Sequence, residues 1–390
     1  MKTFRADYVF PVCADPIKNG IVTIDDDGRI ISVTDHLSSD TKDGRIEQLK
    51  GIICPGFINT HCHLELSHLR DKISPRRGLI DFIKEIQASR ASDSTEILEA
   101  ASRADNEMYE SGIVAVGDIS NSNVTVPVKA NSKIYYHTFV ETFNFLPEQA
   151  NDVFNKSLSL LNEFKSQSCS ITPHAPYSVS KDLFKLIKGY TETGQNLISI
   201  HNQESDDENK FYRYRTGGFL DLYDQFGINI NYFKSQARNS LQSVIPLLTN
   251  KQEILLVHNT WTNLKDIYFI KRFDRRVHFC FCPGANLYIE NRLPKVELFI
   301  DHGFNLTLGT DSLASNTKLC ILNEMRILQE KFPSLSTAQL IEWATVNGAK
   351  YLGIDDEKGT LEPGKSPGLN LITGLDGLKI TPDTKVKRLA

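Results

Sequence analysis

No stretch of the 390 residues approaches the roughly 18 consecutive apolar positions that a membrane-crossing helix needs. The first dozen residues, Met1 to Val12, lack the basic start and apolar centre of a secretory signal. A long block of like charge is also missing. The 44 basic residues are interspersed with 48 acidic ones for a net charge of −4, so nothing attracts a polyanion. Nucleic acid and membrane are therefore not expected partners, and a soluble, cytoplasmic protein is the expectation. Cys-x-x-Cys does not occur, and seven scattered cysteines fit reduced, buried thiols better than disulfides or a structural zinc cluster.

What is present is a regular alternation. From about residue 52 to 350, apolar strand-like runs alternate with amphipathic helical stretches, the pattern of a parallel sheet with crossover helices. The runs are Gly51 to His63, Gly112 to Ser120, Lys133 to Phe143, Cys169 to His174, Asn196 to His201, Glu253 to His258, Val277 to Pro283 and Phe304 to Asp311. Helical patterns fall between them at Leu79 to Arg90, Thr95 to Glu110, Lys181 to Thr193, Ser240 to Leu248 and Val296 to His302. Eight strands with interleaved helices predict a (β/α)8 barrel, which carries its chemistry at the C-terminal ends of its strands. The two chain ends have a different texture of short strands and turns, with Asp27-Gly28 as a hairpin signal and Pro363-Gly364 and Pro367-Gly368 as punctuation. Neither end can bury a core alone. The expectation is one small β-sandwich domain made of residues 1–50 and 354–390, flanking a barrel over 51–353.

Six of the eight runs deliver an acid/base or ligand-type side chain to the expected rim. They are His61 and His63, which share one face of their strand, then Glu141, His174, His201, His258 and Asp311. Each has an ordinary structural account by itself, such as an N-cap for Asp311. Their joint placement at strand ends points instead to a catalytic rim. His36, His68, His137, His278 and His302 lie in turns, beyond or within strands, and read as structural or exposed; Cys280 and Cys282 read as core.

The order Pro-Gly-Phe-x-x-x-His-x-His at 55–63, Pro-His-Ala-Pro-Tyr-Ser at 173–178, His-x-x-Glu at 201–204, His258 and Leu-Gly-Thr-Asp-Ser at 308–312 resembles the amidohydrolase superfamily. Within it, the chain is similar to the mononuclear deaminases and chlorohydrolases. The resemblance covers nearly the whole chain and includes Gly359 to Lys365, with Gly368-Leu369 standing where the family usually has Ala-Asp. It implies His61, His63, His201 and Asp311 as ligands of one divalent metal, Zn²⁺ with Fe²⁺ left open. The binuclear members bridge two metals with a lysine on strand four, and Cys169 to Thr172 contains none.

The same resemblance implies Glu204 as proton shuttle, His258 as the residue that polarises the attacking water, and Asp311 as a group able to take its proton. It implies His174 as a substrate-binding residue, and Glu141 and Glu65 are candidate polar readers that could accept hydrogen bonds from ribose hydroxyls. The His-x-Glu and Pro-Cys-x-x-Cys signature of the other zinc deaminase class is absent. The activity expected is release of ammonia from an aminopurine by attack of a metal-activated water. His63-Leu64-Glu65-Leu66-Ser67 resembles aminodeoxyfutalosine deaminases and favours a 5′-substituted adenine nucleoside, with adenosylhomocysteine and methylthioadenosine types beside it. A substrate carboxylate would be met by an arginine, with Arg76, Arg77, Arg213, Arg215 and Arg238 as candidates. The alternatives are hydrolysis of another C–N, C–Cl or amide bond, as in guanine or triazine hydrolases, and a noncatalytic scaffold. Homo-oligomerisation is left open.

Overall fold

The computed structural model describes residues 1–36, 46–194, 196–273 and 275–390. The stretch 37–45 of the expected small domain lies outside them. Both chain ends contribute to one sheet. Strands β1 (Lys2–Val9), β2 (Ile17–Lys18), β3 (Ile21–Ile24), β4 (Ile30–Thr34) and β5 (Ile46–Pro55) come from the first 55 residues.

Four parallel strands follow, β6 (Phe57–Cys62), β7 (Ile113–Ser120), β8 (Tyr135–Thr142) and β9 (Ser168–Pro173), hydrogen-bonded in that order. A second parallel set is β10 (Ile198–Asn202), β11 (Glu253–His258), β12 (Arg276–Phe281) and β13 (Asn305–Leu308). The last two strands, β14 (Leu369–Thr373) and β15 (Lys385–Arg388), return to the terminal sheet, whose order is β15-β14-β5-β1-β3-β4 with β2 on β1. The molecule is thus mixed α/β. The two ends form a single hydrogen-bonded sheet, and β3 and β4 flank the Asp27-Gly28 turn.

The parallel strands are buried along most of their length because both of their faces are covered. Every residue of β6 and of β7 is buried. The two parallel sets meet at both edges. At one, Thr172 Oγ1 donates to the Ser199 carbonyl and His201 N to the His174 carbonyl. At the other, Thr60 and Thr307 hydroxyls lie 2.8 Å apart, and Cys62 and Asp311 form a parallel bridge. Helices Leu79–Ser89 and Ser94–Glu110 stand between β6 and β7, the second capped by Asp93, which accepts from Thr95 N.

The run expected as one strand from Gly51 to His63 is two. β5 belongs to the terminal sheet and β6 to the parallel set, with Gly56 between them. A Cβ on Gly56 would sit 2.2 Å from Val114 Cγ1 and 2.8 Å from the Pro367 carbonyl, so only glycine lets the chain pass between the two sheets. All seven cysteines are free. Cys54, Cys62, Cys280 and Cys282 are buried, Cys169 and Cys320 partly so, and Cys13 is exposed, unlike the buried thiol expected there. No described helix is long and apolar enough to cross a membrane.

Candidate active site

The strand ends converge on a cavity of about 520 Å³. Its floor carries His63, Glu141, His174, His201, Glu204, His258 and Asp311, delivered by β6, β8, β9, β10, β11 and the turn after β13. His61 lies beneath, fully buried. Three imidazoles turn their Nε2 atoms to one point: His63 Nε2 is 3.2 Å from that of His61 and 3.3 Å from that of His201. Asp311 Oδ1 stands 3.4 Å from His63 Nε2 and 3.7 Å from His61 Nε2. Tetrahedral coordination at Zn–N lengths of about 2.0–2.1 Å would put ligand nitrogens about 3.3 Å apart. The donor set therefore fits a divalent ion.

Further groups orient these side chains. The Nδ1–H of His201 donates to the His174 carbonyl at 2.9 Å, which leaves Nε2 as the lone-pair nitrogen. Ser315 Oγ donates to Asp311 Oδ2 at 2.7 Å. The carbonyl of His61 accepts from both Thr310 N and Asp311 N at 3.0 Å, tying the first strand to the loop after the last. His258 adopts φ 72° and Asp311 φ 57°, left-handed backbone that turns each side chain off its strand into the cavity. Such residues cost about 1–3 kcal/mol each and persist where the surroundings over-determine them.

His258 is fixed by Asn286, whose Oδ1 accepts from Nδ1–H at 2.9 Å. Among the described residues its Nε2 has no hydrogen-bond partner, and it faces Glu204 Oε1 at 3.7 Å. Burial, reinforced by the nearby Asp311 charge, pushes the Glu204 carboxyl well above the usual carboxylate range. Burial likewise raises Glu141 to about 8, against the opposing hydrogen bond from Asn121. Desolvation keeps the imidazoles neutral, with His63 and His174 pushed down to about 3. Neutral imidazole is the form that binds metal.

Of the residues expected to touch substrate, His174 and Glu141 line the cavity and Glu65 does not. Glu65 lies in the first turn of a 3-10 helix, Leu64–Leu69, and accepts from Asn121 N, Ser122 N and Ser122 Oγ, so its carboxylate holds that loop. None of the five arginines considered lines the cavity either; Arg76, Arg77 and Arg238 are exposed, and Arg215 bonds the Ile230 carbonyl and Asn231. The arginine on the wall is Arg90, 3.9 Å from Glu65 Oε1. It stands at the end of the amphipathic helix expected over Leu79 to Arg90, where the pattern gives no signal of its role. Asn286, Ser315 and Arg90 are legible only through tertiary contact. His36, His68, His137, His278 and His302 all lie off the cavity wall.

Around the polar floor the upper wall is apolar. Leu79, Phe82, Ile83 and Ile86 come from the helix Leu79–Ser89, Phe143, Phe145 and Leu146 from the loop after β8, and Leu222, Tyr223, Phe226 and Ile228 from the helix Gly218–Gln225 and beyond.

A buried triad of imidazoles with one carboxylate, opening to a cavity that also holds a buried glutamate, is a donor set suited to a divalent metal ion and to hydrolysis. The chain belongs to the amidohydrolase family, whose model matches residues 52–388. An adenosine deaminase of Helicobacter pylori is 26% identical over 356 residues, 88% of this chain and 85% of the relative. A 5-methylthioadenosine/S-adenosylhomocysteine deaminase of Saccharophagus degradans is 26% identical over 87% of this chain and 75% of that protein. The fold is similar to the crystal structure of Helicobacter pylori aminofutalosine deaminase in complex with methylthio-coformycin, with TM-score 0.85, 21% identity and complete coverage of both chains.

Proposed function

We propose that this amidohydrolase releases ammonia from the adenine ring of a nucleoside whose 5′ position carries an apolar or aryl substituent. The carrying observation is the two-part cavity, a titratable floor beneath an apolar upper wall. A purine fits over the floor, and the upper wall would desolvate a substituent beyond the ribose. The names of the relatives agree, since they act on adenosine and on 5′-thio derivatives of it.

A divalent ion held by His61, His63, His201 and Asp311, zinc by donor set with iron left open, would supply a water acidified toward neutral pH. The chain's own groups do the rest. Glu204 donates its proton to the ring nitrogen beside the reacting carbon. His258, held by Asn286, accepts a hydrogen bond from the attacking water through Nε2, and Asp311 takes the water's proton and passes it to the exocyclic amino group, so that the C–N bond breaks with ammonia leaving while Glu204 recovers a proton from the added hydroxyl. Glu141 Oε1, which has no hydrogen-bond partner among the described residues, and His174 grip the polar edge of the substrate. Arg90 meets a carboxylate on the substituent.

The two parallel sheets are inferred to close as one (β/α)8 barrel, on the strength of contacts at both seams, beginning after Gly56 rather than at the expected residue 51 and running to about 353. The terminal sheet is inferred to be a separate small β-domain over 1–55 and 354–390, because β5 belongs to it as far as Pro55. Seven unpaired cysteines support a reducing, cytoplasmic setting.

The test follows the ultraviolet change from adenine to hypoxanthine for adenosine, methylthioadenosine, adenosylhomocysteine and aminodeoxyfutalosine. Higher kcat/KM for the methylthio and aryl members than for adenosine is expected. Activity confined to guanine, a triazine or an amide would refute the substrate class.

A further inference from the structure

Beside the cavity, and unused by the chemistry above, lies a fully buried ion pair. Lys129 Nζ is 2.6 Å from Asp118 Oδ2, and both side chains are 0% exposed. Lys129 comes from the helix Val126–Asn131, and its other hydrogens go to Ser120 Oγ at 2.9 Å and Thr138 Oγ1 at 3.0 Å. Each ammonium hydrogen is therefore used. Taking two charges out of water costs several kcal/mol per ion, and an apolar pair of similar volume serves stability as well or better. Packing alone gives no reason for the pair.

The other carboxylate oxygen supplies one. Asp118 Oδ1 accepts from Leu64 N at 2.7 Å. Strand β6 ends at Cys62, which is paired with Asp118 on β7, and the backbone leaves the sheet at His63 to enter the helix Leu64–Leu69. The first N–H groups of a helix have no partner within it. Asp118 satisfies this one, and so fixes the peptide plane between His63 and Leu64. On the other side, His61 is pinned by Thr310 N and Asp311 N.

We infer that the Asp118–Lys129 pair is a positioning element for His63. Asp118 holds the backbone from which the imidazole projects, and Lys129, itself tied to Ser120 and Thr138, holds that carboxylate in place. This rests on the reading of His63 as a metal ligand. Groups that orient metal ligands typically change affinity by about 10- to 100-fold when removed.

The experiment compares two double variants. Asp118→Asn with Lys129→Met removes both charges and keeps an oxygen for Leu64 N. Asp118→Leu with Lys129→Met removes the charges and the acceptor. Zinc affinity is measured by chelator competition and melting temperature by calorimetry. The leucine variant should lose about 10- to 100-fold in zinc affinity, while the asparagine variant stays within about threefold of the parent. If the leucine variant does not fold, Asp118→Ala with Lys129→Met replaces it in the same comparison. Parental zinc affinity in the variant without the acceptor would overturn the inference, and so would equal losses in both. His63→Ala is the control. If it binds zinc as the parent does, the ligand assignment fails and not the positioning role; if it loses zinc while the acceptor-free variant keeps it, the positioning role fails.

Discussion

At the scale of single residues, the site divides into groups that a linear pattern exposes and groups that it hides. Glu204 is exposed by its distance from His201, and the fold places it 3.7 Å from the free nitrogen of His258. Glu204→Gln should keep the metal and the fold and lose about 10²- to 10⁴-fold in kcat, since glutamine fills the space but carries no transferable proton. Metal analysis beside turnover checks this, and loss of metal would reassign the residue. Glu65 shows the opposite hazard. It is two positions from His63, yet a turn of 3-10 helix directs it to the backbone of residues 121–122. Arg90, 27 residues after His63 in sequence, is the cation that reaches the wall. Arg90→Met should lower kcat/KM for a carboxylated aryl substrate by about 10- to 100-fold, the worth of a charged hydrogen bond of about 1.5–3 kcal/mol. Methylthioadenosine, without a carboxylate, should change little. Equal loss for both substrates would mean that Arg90 grips the shared nucleoside.

At the scale of elements, the eight parallel strands were legible because a strand covered on both faces reads as a continuous apolar run, and because each of six runs ends in a chemically active side chain. Their ends agree with the reading to within a few residues, as at Glu253–His258, where the two coincide. The helix expected over Ser240 to Leu248 ends as an α-helix at Val244 and continues as a 3-10 turn, Ile245–Leu247, at Pro246. The division of Gly51 to His63 into β5 and β6 was not legible. Two strands in different sheets and one long strand with a bulge have the same apolar pattern, and only the approach of Val114 and Pro367 to Gly56 separates them. Gly56→Ala should therefore destabilise by about 1–3 kcal/mol through overpacking, read as a lower denaturant midpoint. An unchanged midpoint would show that Val114 yields without cost.

At the scale of the whole molecule, buried carboxyls set how stability responds to pH. Glu208 and Glu324 are both fully buried and pushed up to about 8, chiefly by burial, against hydrogen bonds such as those Glu324 receives from Gly284 N and Asn316 Nδ2. An unfolded glutamate titrates near about 4.3. Between these values the folded state binds more protons than the unfolded one, so stability falls as pH rises toward 8. Glu324→Gln should flatten part of that decline in melting temperatures taken from pH 6 to 9, and a slope identical to the parent's would show that Glu324 does not titrate in this range.

The terminal sheet carries a consequence of another kind. β5 pairs with β1 on one edge and with β14 on the other, Leu369 lying opposite Pro55 and Ile372 opposite Ile52. Arg388 ties the return to the rest, donating to the Tyr109 and Ile113 carbonyls. During synthesis at about 5–20 residues per second, more than three hundred residues separate the appearance of β5 from that of β14. For that interval of at least about fifteen seconds, the nascent chain presents the edge Ile52–Pro55 without its partner, next to the strand that bears His61 and His63. An unpaired apolar edge is a template for other chains. Ribosome-bound chains stopped before residue 369 should therefore need a holding chaperone to stay soluble, and those released past residue 388 should not.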